Sequence, residues 1–317
     1  MPSQSYNAKA EALFVTFDKR YEQAYGQAAG FENQIATIVQ SAGLENRYTW
    51  MDQSPSLREW VGAREIQSMT SNLYSLVNKK FERTLTLDVD ALEDDMLSVF
   101  AGMPEELGMQ AKIWPSQQLA AAVEAGETAL SFDSAAYFST SHPLDPSGTL
   151  TTAVQSNLYS AGGGTLTAPN LSAARAQMKS FKGRNSAPLG IGSMGKLLLM
   201  VPNELESAAM QIANAEFIAP SAAFGGNASG GYQTNVLRGS VDVLVNPWLT
   251  NATAWYLLDT SRPIKPFVWQ LRKAPKFIWK NKPEDDNVFF ENRLLYGVDS
   301  RGAAGYGPHF LALKGRP

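Results

Sequence analysis

The chain has no cysteine at all, so disulfides, thiolate nucleophiles and cysteine-ligated metal centres are excluded from its chemistry. Histidine is nearly absent: His142 and His309 are the whole supply. Neither sits in a His-Glu-x-x-His helix, so no metal site is expected. An excess of one charge is missing too. Lys and Arg number 27 against 30 Asp and Glu, for a net charge of −3 and an isoelectric point near 5.6. That balance leaves out the basic stripe of a protein that grips DNA through its phosphates. The longest conspicuous apolar run, Leu197 to Val201, falls far short of the roughly 20 residues a membrane span requires. The opening Met-Pro-Ser-Gln-Ser-Tyr-Asn carries neither the basic region nor the apolar core of a secretory signal, so synthesis in a reducing cytoplasm is expected.

What is present is a globular inventory: 317 residues, 44% hydrophobic, 10% aromatic and 18% charged, with 25 Gly and 17 Pro. That length allows one large domain or two ordinary ones around a sizeable core. The first forty residues read as helices. Leu13, Phe14, Phe17, Tyr21 and Tyr25 recur at steps of three and four, one stripe of an amphipathic helix, free to dock on its own core or on a neighbouring subunit. A second short helix is predicted through Ile35, Ile38 and Val39. The period then changes to two: Phe81, Leu85, Leu87 and Val89 alternate with Glu82, Thr84, Thr86 and Asp88, the pattern of a strand. Ile66 to Leu76 is the predicted antiparallel partner, with a turn near Val77-Asn78-Lys79. Arms of roughly 10–12 residues reach about 35–40 Å at ~3.4 Å per residue, and so long a two-stranded ribbon must lie along something else.

Glu93-Asp94-Asp95 precede Met96, Val99 and Phe100 at helical spacing, where acidic residues favour a helix start. Pro104 and Pro115 punctuate the region, and Ser116 to Glu127 reads as a structural helix. Ser139 to Pro169 reads as exposed connection, followed by helical signals at Ala174, Met178 and Phe181. Lys196 to Val201 reads as a buried strand. After Pro202, Asn203 and Glu206 are spaced as a capping box for a helix whose stripe is Leu205, Ala209, Ile212 and Phe217. Ala222 to Gly231 reads as a loop, with strands at Val236 to Val245 and Trp255 to Leu258. Trp269 to Trp279 is basic and aromatic, and a polar break follows at Lys282 to Asn287. No repeat is visible. The fold class is mixed α+β.

Three stretches invite a chemical reading. Gly190-Ile-Gly192-Ser-Met-Gly195-Lys196 resembles a phosphate-binding loop, but Leu197 stands where Ser or Thr should hold Mg²⁺. A strand also follows where a helix is needed, which argues against a nucleotide. His142 lies beside hydroxyls in Ser139-Thr-Ser-His142-Pro143, the seed of a hydrolase reading. A triad needs a carboxylate-oriented base and an oxyanion hole, and no Gly-x-Ser-x-Gly elbow occurs. Five basic residues between Arg272 and Lys282, interleaved with Phe277 and Trp279, could touch nucleic acid or form a solvated or subunit-contacting strand. Asp285-Asp286 lacks further ligands at calcium-loop spacing. No catalytic, cofactor-binding or metal-ligating residue is assigned.

An ordered series of segments resembles the Mu-like phage major head subunit family. Tyr48-Thr-Trp50 and Leu57-Arg-Glu-Trp60-Val-Gly62-Ala-Arg64 are similar to the family's lead into a hairpin. Asn78, Phe81-Glu82 and Glu93-Asp94-Asp95 match its continuation. Phe132-Asp133, Phe138 and His142-Pro143 resemble its aromatic-Asp…Phe…Asp-His-Pro segment. Ser156-Asn157, Leu166-Thr167, Met178, Pro188-Leu189, Leu199-Met-Val201-Pro202 with Leu205-Glu206, and Tyr296-Gly297-Val298-Asp299 with Arg301 extend the likeness. Ser139 and Ser141 stand where the family pattern is acidic.

The resemblance implies a tailed-phage major capsid protein of the HK97-type fold, a structural protein and not an enzyme. It implies an N-terminal arm over 1–61, an extended β-hairpin loop over 62–90, and a peripheral domain with a spine helix over 91–188. An axial domain over 189–258 and a C-terminal segment over 259–317 returning to the periphery complete the expected subunit. The implied partners are further copies in hexamers and pentamers of an icosahedral shell, a scaffold protein, a portal and a decoration protein. Double-stranded DNA is enclosed without sequence-specific binding. The implied place is the virion, from a phage or prophage, assembled in the host cytoplasm. With Met1 at the start, removal of a large propeptide is not expected, and no Lys–Asn pair stands out for cross-linking. The alternatives are an encapsulin-type bacterial compartment shell and, from another class, a hydrolase using His142.

Overall fold

The computed structural model describes residues 2–48, 74–90, 102–146, 151–184, 186–219, 231–282 and 284–317. Helix α1 (Pro2–Gln27) buries Leu13, Phe17 and Tyr21, as its stripe predicts, against this chain's own elements. A short α2 (Glu32–Ile35) runs directly into strand β1 (Ala36–Gln40). Ile38 and Val39 therefore lie on a strand and not on the predicted helix, because Thr37-Ile38-Val39 is a β-branched run that favours extended backbone. Strands β2 (Glu45–Tyr48), β3 (Tyr74–Val77) and β4 (Lys79–Asp88) follow. The helix start predicted at Glu93-Asp94-Asp95 lies outside the described residues.

Helix α3 (Gly102–Ala125) is continuous through both Pro104 and Pro115, where the sequence suggests breaks. Pro104 occupies the first turn, where a missing N–H costs nothing. Next to Pro115, Ser116 is tied to the entry of α2: its Oγ accepts from the Phe31 N–H at 2.8 Å and donates to Glu32 Oε2 at 2.8 Å. Short strands β5 (His142–Pro143), β6 (Val154–Gln155) and β7 (Leu158–Tyr159) lead to α4 (Ala168–Lys179). Thr167 caps α4 by accepting from the Asn170 N–H, and Leu171, Ala174 and Met178 form its buried face.

Strand β8 (Leu197–Val201) is buried at every position. A 3₁₀ turn at Asn203–Leu205 enters α5 (Glu206–Asn214). The Asn203–Glu206 capping box does not form, since the tight turn makes Leu205 the cap and no side chain bonds there. Phe217 leaves the helix for β9 (Phe217–Ile218), pairing with β10 (Gln233–Thr234), and is exposed. The strand predicted from Val236 begins at Val241, as β11 (Val241–Val245). The predicted loop at 222–231 lies almost wholly outside the described residues. Strands β12 (Trp255–Leu258) and β13 (Phe267–Lys280), helix α6 (Asp286–Glu291) and strands β14 (Arg293–Tyr306) and β15 (Ala312–Gly315) complete the chain.

Two sheets organise these elements. The first has the order β1-β13-β14-β4, and its long antiparallel ribbon is β13–β14, at 14 residues each. The predicted ribbon of Ile66–Leu76 with Phe81–Val89 is corrected accordingly. Strand β4 pairs with β14, Tyr296 facing Leu85, whereas β3 pairs with β2. The rest of that predicted partner, 66–73, lies outside the described residues. Between β3 and β4, Asn78 is buried, donating to Ser41 Oγ and the Gly43 carbonyl and accepting from Gln270 Nε2 at 2.8 Å. The expected hairpin tip is thus an anchor. Against this sheet α1 and α3 pack closely: a Cβ on Gly108 would lie 2.5 Å from the Tyr21 carbonyl oxygen.

The second sheet has the order β11-β8-β12-β15-β7 and is buried on both faces. Leu197, Leu199, Val201, Trp255 and Leu257 point to a core shared with α4 and α5. Leu198, Met200, Tyr256 and Leu258 point the other way, into a core with Trp114, Leu119 and Val123 of α3 and with Phe267 and Trp269 of the first sheet. Side chains alternating across each strand make one sheet serve two cores. Among the described residues, no helix is long and apolar enough to cross a membrane.

Candidate functional site

The chain's two histidines meet. After α3, a hairpin turn at 131–135 with Ser134 at φ 63° holds Asp133, whose carboxylate also accepts from the Ala135 N–H. His142, on β5, has its ring fully buried and places Nδ1 at 2.6 Å from Asp133 Oδ2. Its Nε2 lies 3.2 Å from both the Tyr137 carbonyl and Asn157 Oδ1. The amide of Asn157 is fixed, since its Nδ2 donates to Tyr137 O and His309 O and its Oδ1 accepts from the Ser139 N–H. Both nitrogens of His142 therefore face acceptors. His309 brings its ring over that of His142, centroids 3.8 Å apart and planes 3° from parallel. Phe132 stacks on the other side at 5.3 Å.

Burial lowers the His309 pKa to about 3, helped by the neighbouring His142, so this ring is neutral. Burial pushes the Asp133 carboxyl up, but the His142 hydrogen bond and the two imidazoles outweigh it and leave the group below the ordinary range. The hydrolase reading fails on this geometry. Nε2 of His142, the nitrogen opposite the carboxylate, is buried against the Tyr137 carbonyl and Asn157 Oδ1 and meets no hydroxyl that it could activate. Ser141 is exposed, with its N–H turned to Ser139 Oγ. The sequence does not pair His309 with Asp133 and His142, because long-range topology makes that grouping and no local spacing signals it.

The glycine-rich stretch is a turn in front of β8. Gly190 and Gly192 have φ of 64° and 69°, the Gly192 N–H is held by Asp259 Oδ2 at 3.0 Å, and β8 follows without a helix. Lys196 lies 3.7 Å from Asp242. On the basic strand the aromatics are engaged within the fold: Phe277 is buried, and Trp279 stacks on Phe14 of α1 at 3.6 Å. Lys273 pairs with Asp299.

Apolar surface remains open elsewhere. A cavity of about 560 Å³ between α3 and β4 is lined by Phe81, Leu85, Met103, Leu107, Trp114 and Val298. On α6, Phe289 and Phe290 are 75% and 77% exposed, their rings edge to face at 5.0 Å.

The family described as "Mu-like prophage major head subunit gpT" matches residues 10–165, 157–249 and 250–316. The Mu-like prophage FluMu major head subunit of Haemophilus influenzae is 27% identical over 297 residues, 94% of this chain and 70% of the relative. The major capsid protein of Escherichia phage Mu is 26% identical over 302 residues, 95% of this chain and 71% of the relative. Among solved structures, a chain of the bacteriophage JBD30 procapsid superposes with a TM-score of 0.60 at 28% identity, covering 97% of this chain and 74% of that one.

Proposed function

The chain belongs to the Mu-like prophage major head subunit family, whose members form icosahedral shells, and we propose that it builds its shell from hexamers and pentamers around double-stranded DNA. The fold is of the HK97 type and the family is structural, not catalytic. Residues 1–61 serve as an arm and 62–90 as the extended loop, whose returning strand β4 joins the first sheet along β14. Residues 91–188 form the peripheral domain with α3 as its spine, 189–258 the axial domain, and 259–317 the segment returning to the periphery. At about 1.5 Å per residue, α3 is long enough for that spine. Strands β8, β11 and β12 lie in the axial stretch, with β7 and β15 joining from its neighbours.

The observation that carries this reading is the family match along nearly the whole chain, and the open α3–β4 groove and the Phe289–Phe290 pair fit it as surfaces for further copies. The near-neutral charge suits a wall that encloses DNA without holding it. A scaffold protein, a portal and a decoration protein are the expected further partners, with assembly in the host cytoplasm and the virion as destination. The test is nuclease protection: heads formed with the packaging genes should retain nuclease-resistant double-stranded DNA. Closed heads that never protect DNA would overturn the container role.

A further inference from the structure

We propose that Asp133, His142 and His309 form a binding site for one divalent metal ion of the zinc class, a structural ion that ties the segment after α3 to the turn before β15. This departs from the expectation drawn from two histidines far apart in sequence, and it does not rest on the capsid reading. Both ring nitrogens of His309 lack a hydrogen-bond partner, although the side chain is only 2% exposed. Buried polar atoms without partners are uncommon and call for a ligand, water or ion. One is close at hand: Nδ1 of His309 lies 3.7 Å from Asp133 Oδ2, and one donor atom from each of the three residues lies within 4.8 Å of the others. Two imidazole nitrogens and one carboxylate oxygen are a zinc-type set of three protein donors, with a water completing the tetrahedron. Nε2 of His142 faces Asn157 Oδ1 and the Tyr137 carbonyl at 3.2 Å, the outer hydrogen bond by which proteins orient a metal-ligating histidine.

The short contact between His142 and Asp133 occupies the position the ion would take. His142 Nδ1 lies within hydrogen-bond distance of Asp133 Oδ2, at 2.6 Å, and the two rings lie parallel. With metal bonds of about 2.0–2.2 Å, a tetrahedral ion needs its donors spread to roughly 3.3 Å and the two imidazole lone pairs made convergent. Binding therefore needs the single imidazole proton of His142 on Nε2, toward Asn157 Oδ1 and the Tyr137 carbonyl, which leaves the Nδ1 lone pair for the ion, and it tilts the His309 ring off the stack toward the carboxylate. His142 is fixed by acceptors on both sides. No hydrogen bond from the His309 nitrogens opposes its tilt; the ring contacts with His142, Phe132 and Phe310 do. The ion would then join the 131–135 turn, β5 and the His309–Leu311 turn.

The experiment is isothermal titration of chelator-treated full-length chain with ZnCl₂ at neutral pH, with the absorption spectrum of the Co²⁺ form as a second readout. The expected result is stoichiometric binding and tetrahedral Co²⁺ bands. His309→Phe keeps a ring in the stack and removes the donor atoms, so it should weaken zinc binding more than about tenfold, beyond what loss of an outer-shell partner alone brings. Circular dichroism establishes that this variant is folded. Asp133→Asn should act likewise, but it also loses the His142 partner, so His309→Phe decides. Wild-type chain that binds no zinc, or His309→Phe that binds it as tightly as wild type, would overturn the proposal and leave the cluster as a proton-bearing ring stack.

Discussion

The indole of Trp114 on α3 meets that of Trp269 on β13 edge to face, 4.8 Å between centroids and 85° between planes. The pair pins the long helix to the first sheet within the core that also takes Leu198, Met200 and Tyr256 of the second. Replacing Trp114 with Ala should cost about 3–5 kcal/mol, the usual toll of a large aromatic lost from a packed core. Denaturant unfolding of the unassembled subunit checks it, and a loss below about 1 kcal/mol would show that the helix does not depend on this contact.

Gly108 gives a prediction whose sign is informative. Helix propensity alone favours Gly108→Ala by about 1 kcal/mol. The added Cβ would lie 2.5 Å from the Tyr21 carbonyl oxygen and 3.2 Å from the Ala24 Cβ, so overpacking of about 1–3 kcal/mol should win. The variant should be less stable, and α1 should become accessible to limited proteolysis. A more stable, protease-resistant variant would mean that α1 does not sit against α3 as described.

Asn78 is buried between β3 and β4, and its amide joins Ser41, the Gly43 carbonyl and Gln270. Asn78→Ala leaves Gln270 Nε2 with the Leu76 carbonyl as its one acceptor and removes the side-chain donor to Ser41 Oγ and the Gly43 carbonyl, which should cost about 1–3 kcal/mol. Deleting Val77 to Lys80, which a reading of this stretch as a free hairpin tip predicts to leave a folded subunit, should instead give a misfolded chain. Soluble expression and circular dichroism separate those outcomes.

Phe289 and Phe290 predict the reverse pattern. Exchanging both for Ser on α6 should leave subunit stability within about 0.5 kcal/mol while abolishing or misdirecting assembly. Thermal unfolding and particle counts, measured on the same preparation, test the two halves. Normal shells would show that this pair faces solvent in the assembled state.

What the sequence discloses follows from which interactions are local. The α1 stripe is legible because helix period and burial coincide at Leu13, Phe17 and Tyr21. Strands β8 and β12 are legible as short, wholly apolar runs, buried on both faces. Alternation over Phe81 to Val89 shows a strand but not its neighbour, since period two specifies a face and leaves the pairing open. The partner, β14, lies some two hundred residues further on. Pro115 misleads because a helix held by Trp114 and by Ser116's bonds to Phe31 and Glu32 tolerates an interior proline. Of the Asp133–His142–His309 cluster, the first two members are in view through the family likeness at Phe132-Asp133 and His142-Pro143. His309 enters only when β15 is threaded between β12 and β7.

Negative-stain electron microscopy of the purified chain, alone and co-expressed with its neighbouring genes, tests the central claim most directly. The account predicts closed shells, rings of five or six, or tubes in at least one of the two preparations. A uniform monomer in both would contradict it.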